Sequence, residues 1–227
     1  MLESRAIQDN LLRLLALCSI AAPIVLAIVV TVGGFIYEGY SHATQAMSEL
    51  GGVEAQYPLL QNAGFFVMGV LFIAFAFGLH RGIGGGRGST LGPLLVGVFG
   101  VSSGFGNAFL PCDPGCEFQS LTGAMHNLTG LAGFVAAIAG VFVISRRLKG
   151  DPRWRSLYNF SWMTGVAAVV TLPLWIGVAK IAEVDSVNGT LQRLFIGVWF
   201  VWVGVMAIRL FRVSPWASIA PTTRERV

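Results

Sequence analysis

Six long apolar runs, separated by short polar connections, make up nearly the whole chain. They extend from Leu11 to Tyr37, Leu59 to His80, Leu91 to Leu110, Leu121 to Ser145, Leu157 to Ala182 and Leu191 to Phe211. Each reaches the ~20 residues that, at a rise of about 1.5 Å, cross a hydrocarbon core roughly 30 Å thick. None alternates with the period of two that a membrane β-barrel strand requires. The pattern predicts an all-α, polytopic membrane protein: one six-helix transmembrane bundle over residues 1–213 and a short cytoplasmic tail over 214–227. Pro58 precedes the second run and suits a first helical turn. Pro23 and Pro173 lie inside runs, where a bilayer helix tolerates proline if neighbours satisfy the freed carbonyl.

Composition agrees with this pattern. The 227 residues are 55% hydrophobic and 11% charged, where a soluble domain carries about 25% charged residues. The net charge of +4 comes from Lys and Arg at the ends of runs. No long basic stretch remains for a nucleic-acid surface. The first run is too long for the apolar core of a signal peptide and no small-residue cleavage site ends it, so it reads as a retained helix.

The basic residues also orient the bundle. Arg5, Arg13, Arg81, Arg87, Arg146, Arg147, Lys149, Arg153, Arg155, Arg209, Arg212, Arg224 and Arg226 fall on one side, which is therefore cytoplasmic, and both termini lie there. Only Lys180 and Arg193 fall opposite, among Glu38, Glu49, Glu54, Asp113, Glu117, Glu183 and Asp185. The expected location is the cell membrane.

Two patterns bear on packing. Gly97, Gly100 and Gly104 on run three, and Gly130, Gly133 and Gly140 on run four, predict a close contact between those two helices. Runs two, four and six open on Asn62, Asn127 and Asn188 and close on Arg81, Arg146 and Arg209. Either a threefold repeat of hairpins or shared topology alone produces that likeness.

Candidate chemistry gathers on the side away from the cytoplasm. Pro111-Cys112-Asp113-Pro114-Gly115-Cys116 is a stiff turn whose cysteines meet the oxidising side, where a disulfide is permitted. A redox pair, free thiols or a metal are the alternatives. Arg193 opens run six beside Gln192, at a depth where an ionisable residue is costly and has a partner. Glu38, Glu49 and Asp113 are the carboxylates that could supply one; an anionic headgroup is the other reading. His126, Asn62, Asp113, Glu49 and Ser48 complete the candidate ligand-binding set. His42, Glu49, Glu54, Asp113 and His126 are zinc-ligand types, but no two have helical i, i+3 or i, i+4 spacing. No metal and no cofactor are therefore expected.

Ser48-Glu49-Leu50-Gly51, Asn62-Ala63-Gly64-Phe65 leading into Gly69, Phe109-Leu110-Pro111-Cys112-Asp113 followed by His126, and Gln192-Arg193 together resemble the signature of the DUF998 family of integral membrane proteins. The resemblance implies a six-helix bundle found mainly in prokaryotes. It implies no activity, because the family is named for an unknown function.

The expected function is binding or handling of a membrane lipid or other amphiphilic small molecule at the outer leaflet. One alternative is a membrane hydrolase, with Ser48 as nucleophile, Asp113 as orienter and His126 as base. The other is a non-catalytic subunit, with a homo-oligomer or membrane partner protein around it. A transporter is disfavoured, since the cytoplasmic halves of the runs carry few internal polar groups. The orientation is tested by impermeant maleimide on intact cells, in a Cys18→Ala background. Glu54→Cys is expected to label directly and Arg147→Cys only after permeabilisation; the reverse order would invert the topology.

Overall fold

The computed structural model describes residues 2–178 and 185–213, which are helical apart from their connections. Six helices carry the fold: α1 (Leu2–Ile36), α2 (Pro58–Gly82), α3 (Leu91–Phe109), α4 (Leu121–Lys149), α5 (Tyr158–Val178) and α6 (Asn188–Arg212). All six are long and apolar enough to cross a bilayer, and the chain reads as a multi-pass membrane protein. α1 starts earlier than Leu11 because a polar first turn precedes the apolar part, which begins at Asp9. Pro58 is the first residue of α2, and α1 and α5 continue through Pro23 and Pro173. Lys180, Glu183, the expected end of run five at Ala182, and the tail with Arg224 and Arg226 lie outside the described residues.

The helices form a ring. Each packs against its neighbour in sequence, and α6 closes back onto α1. The outer surface is apolar: Phe35 and Leu59 are each 82% exposed. That much exposed hydrocarbon is tolerable against lipid and costly against water.

Inside the ring, the half nearer the basic residues is packed solid with aromatic rings. Ring centroids are 4.8 Å apart for Phe72–Phe99, 5.6 Å for Phe99–Trp199 and 5.0 Å for Trp199–Trp202. The Trp202 indole donates to Ser161 Oγ at 2.9 Å, and that of Trp154 to the Gly82 carbonyl at 3.1 Å. At the basic end Arg147 donates to the Ile83 carbonyl, and Asp151 accepts from Arg153 at 2.9 Å. These contacts tie the α2–α3 connection to the α4–α5 connection and seal that end.

The glycines sort differently from the sequence expectation. α3 and α4 do pack closely, and a β-carbon on Gly133 would strike Ser103 while one on Gly140 would approach Gly92. Gly97, Gly100 and Gly104 of α3 face α2 instead. A β-carbon on Gly104 would strike the Gly69 backbone, and one on Gly69 would sit 2.8 Å from the Gly100 carbonyl. Gly97, Gly100 and Gly104 stand three or four residues apart and so share one helix face, and that face meets α2 rather than α4; a π-helical stretch runs over Gly100–Gly106.

Gly69→Leu or Gly104→Leu is expected to destabilise the detergent-solubilised protein by about 1–3 kcal/mol, as overpacking does, seen as a lower melting temperature. Gly97→Ala is the control: its β-carbon would meet only Ala76 Cβ, at an ordinary 3.5 Å.

Candidate functional site

The loop from Leu110 to Ser120 caps the end of the ring opposite the basic residues. Cys112 and Cys116 are joined in a disulfide. Closing so short a loop removes only about 2 kcal/mol of unfolded-chain entropy, so its main effect is to fix the turn. Gly115 has φ +63° and Cys116 φ +54°. A left-handed backbone is free for glycine but uncommon for a residue with a β-carbon, and the surrounding contacts hold Cys116 there. Cys116 N–H donates to the Asp113 carbonyl at 2.8 Å, and Asn127 Nδ2 donates to the Cys116 carbonyl at 3.0 Å.

Asp113 is committed to the start of α4. Its carboxylate accepts from Gln119 N–H at 2.9 Å, Ser120 N–H at 2.7 Å and Ser120 Oγ at 2.7 Å. Ser120 Oγ in turn accepts from Gly123 N–H as an N-cap. The Ser120 hydroxyl first, and then the two backbone N–H groups, hold the Asp113 carboxyl below the usual carboxylate range.

The α1–α2 connection, residues 37–57, folds over the mouth of the ring and is held by α6. Gln192 Oε1 accepts from Met47 N–H at 2.6 Å. Arg193 donates to the carbonyls of Gln45 at 3.1 Å and Gly189 at 2.9 Å, and to Tyr40 Oη at 2.8 Å; its fourth contact is His42 Nδ1 at 3.1 Å. Gly189 lies so close to this connection that a β-carbon there would strike the carbonyls of His42 and Gln45. Glu49 is not a partner of Arg193. It accepts from Ala46 N–H at 2.7 Å and Gln45 Nε2 at 3.0 Å, closing the Met47–Gly51 turn on itself. With Glu49 and Asp113 both engaged in capping, Arg193 makes no ion pair among the described residues.

Beneath the cap lies a cavity of about 980 Å³. Its walls near the cap are polar: Gln45, Ser48, Glu49, His126, Asn188 and Gln192. Further in they are apolar: Phe65, Met68, Phe99, Phe134, Ile196 and Phe200. A second recess of about 420 Å³ lies between α1 and α6, lined by Phe35, His42, Arg193 and Gly197. Leu26, Met47, Ile196 and Phe200 belong to both and form the partition.

The structure therefore divides the seven candidate residues. Ser48, Glu49, His126 and Gln192 share the large cavity. Arg193 lies beyond the partition, Asn62 is turned to the Gly51 carbonyl at 3.2 Å, and Asp113 faces Ser120. The hydrolase relay is not assembled. His126 Nδ1 meets the Leu110 carbonyl at 2.6 Å rather than Asp113, and Ser48 Oγ lies 3.2 Å from Cys116 Sγ. His42 and Glu54 stand apart from His126, so the zinc set considered from sequence is not gathered; among the described residues the metal-competent group is Cys112, Cys116 and His126. Tyr40, Gln45 and Asn188 were not singled out as ligand candidates. A tyrosine and a glutamine in a polar connection carry no pattern that would mark them. The three asparagines that open alternate runs do share a task. Asn62 binds Gly51, Asn127 binds Cys116 and Asn188 accepts from Trp175, each tying its helix to the segment before it.

Residues 20–209 match the family model described as "Protein of unknown function (DUF998)". No curated protein and no solved structure matches the chain.

Burial, and then the Arg193 guanidinium, hold the His42 imidazole below its ordinary value. Folding thus favours neutral His42. Its contribution is complete above the ordinary imidazole pKa of ~6.5 and is lost as pH falls from there through the lowered value. Asp113 titrates below the usual carboxylate range of ~4, so its loss falls in a separate, more acidic window. Melting temperature in detergent is expected to drop as pH goes from neutral to mildly acidic, and less steeply in His42→Asn. An equal slope in that variant would remove His42 as the cause.

Proposed function

The chain belongs to the DUF998 family, and we propose that it binds a lipid or other anionic amphiphile at the outer leaflet of the cell membrane. The observation that carries this reading is the cavity, whose lining passes from polar under the cap to aromatic at its floor. Asn188 to Phe200 is thirteen residues of α6, twelve rises or about 18 Å, which is comparable to one leaflet of hydrocarbon. The volume of about 980 Å³ stands at the upper end of small-molecule sites, ~300–1,000 Å³.

The recess between α1 and α6 supplies the entrance. It opens among helices whose outer surface is apolar, and among the described residues Leu26, Met47, Ile196 and Phe200 line both it and the large cavity. Among the described residues Arg193 meets neutral acceptors in that recess, so its charge favours an anionic group there. An acidic headgroup at Arg193 and an apolar chain crossing the partition would satisfy both spaces. The aromatic layer of Phe72, Phe99 and Trp199 closes the floor, which supports holding or presenting an amphiphile rather than moving it through. A hydrolase is the weaker reading, because Asp113 and His126 serve separate partners.

Native mass spectrometry of the detergent-purified, delipidated protein tests this with an anionic and a zwitterionic phospholipid. One anionic molecule is expected to bind in preference. Gly197→Phe fills the recess, and since a β-carbon at Gly197 meets open space the fold should survive. Its affinity is expected to fall about tenfold, equivalent to ~1.4 kcal/mol. Unchanged binding in Gly197→Phe together with no preference for the anionic lipid would refute the reading.

A further inference from the structure

Cys112, Cys116 and His126 form a group that the amphiphile reading does not use. The two sulfurs and one ring nitrogen of His126 all lie within 4.8 Å of one another. Cys112 is fully buried and His126 is 5% exposed. Cys116 and His126 line the large cavity, and so does Ser48.

The imidazole is already arranged as a ligand. The Leu110 carbonyl can only accept, so Nδ1, 2.6 Å away, carries the proton. In the neutral ring this leaves the lone pair on Nε2. A backbone carbonyl holding the remote N–H is the usual support of a metal-binding histidine, since it fixes both tautomer and ring orientation. Ser48 Oγ, 3.2 Å from Cys116 Sγ, is placed to donate to a thiolate. Around one tetrahedral zinc ion, two thiolates sit about 3.8 Å apart and a thiolate and imidazole nitrogen about 3.5 Å, from bond lengths of ~2.3 and ~2.0 Å. On reduction the two sulfurs, bonded here in the disulfide, must part to about 3.8 Å, while the sulfur–nitrogen separations, within 4.8 Å, settle near 3.5 Å.

We propose that Cys112, Cys116 and His126 bind one thiophilic divalent cation of the zinc class when the disulfide is reduced. A dithiol reductant supplies two electrons and two protons, becoming a disulfide itself, and leaves two cysteine thiols. Metal binding then releases both thiol protons. Two thiolates and a neutral imidazole around a divalent ion make a complex of zero net charge, which suits a buried site where an uncompensated charge is costly. The fourth position faces the cavity, open to water or to whatever the cavity holds. The loop thus has two closed forms, disulfide and metal complex, and the redox state of its surroundings selects between them. This holds whether or not the cavity takes an amphiphile.

The test uses the full chain in detergent with Cys18→Ala, which removes the remaining free cysteine. One sample stays oxidised. Another is reduced with dithiothreitol and freed of it by gel filtration without oxygen. Each is given zinc, or cobalt as a chromophoric probe. The reduced protein is expected to hold one equivalent by elemental mass spectrometry and to show the cobalt–thiolate charge-transfer band; the oxidised protein should do neither. Cys116→Ser should abolish the band, and His126→Gln should weaken binding at least tenfold while still forming the disulfide when oxidised. If these variants fail to fold, alkylating the reduced cysteines of otherwise unchanged protein must abolish binding equally. No uptake by the reduced protein, equal uptake by the oxidised protein, or uptake that survives alkylation overturns the proposal.

Discussion

Two consecutive residues at the start of α6 hold the architecture of the capped end together. Gln192 and Arg193 bind the backbone of the α1–α2 connection at Met47 and Gln45, some 145 residues earlier in the chain. A ring of six helices needs a contact between its first and last members, and lipid offers no hydrophobic force to make one. A buried hydrogen bond to Gln192 and part-buried, charge-assisted ones from Arg193 help to do so here. They also satisfy backbone groups of a connection that would otherwise be left unpaired near the membrane boundary. Ser48, Glu49 and the mouth of the cavity are positioned as a consequence. Arg193 is thus first a structural residue, and any ligand it attracts meets a guanidinium already fixed in direction.

The two halves of the ring are built differently because they answer different demands. Near the basic end, aromatic rings and close glycine contacts gain dispersion energy through many small contacts. Near the cap, the chain spends polar side chains on holding loops instead of filling space. Asp113 caps α4 through Ser120, Glu49 closes its own turn, and three asparagines tie three helices to the segments before them. Volume is left between, and it becomes the cavity. The π-helical stretch of α3 lies at the junction of the two halves, where Gly100 and Gly104 press against α2 while Ser103 and Asn107 meet α4.

The disulfide sits where these constraints converge. Cys112 presents its carbonyl to Val53 N–H at 3.0 Å, linking the two connections that cover the mouth. Its partner Cys116 is held in a left-handed conformation by neighbours on three sides. A pinch serving only to stiffen a hairpin would not require a histidine of fixed tautomer beside it.

Much of this protein was legible in its residues alone. The six crossings, the helical class, the separation of basic from acidic ends and the pairing of Cys112 with Cys116 follow from run length, charge placement and local spacing, all of which are short-range properties of a chain in a bilayer. The fate of each polar side chain was not legible. The position of Arg193 calls for a carboxylate, but among the described residues it meets carbonyls, a phenol and an imidazole, while Glu49 and Asp113 satisfy nearer N–H groups. Gly97, Gly100 and Gly104 share a helix face, as their spacing says, but that this face meets α2 rather than α4 is set by the rotation of the helix in the ring. Which groups share a cavity depends on helix rotation and on loops meeting across some 150 residues. Those are settled by the closing of the ring, a property that no window of the sequence contains.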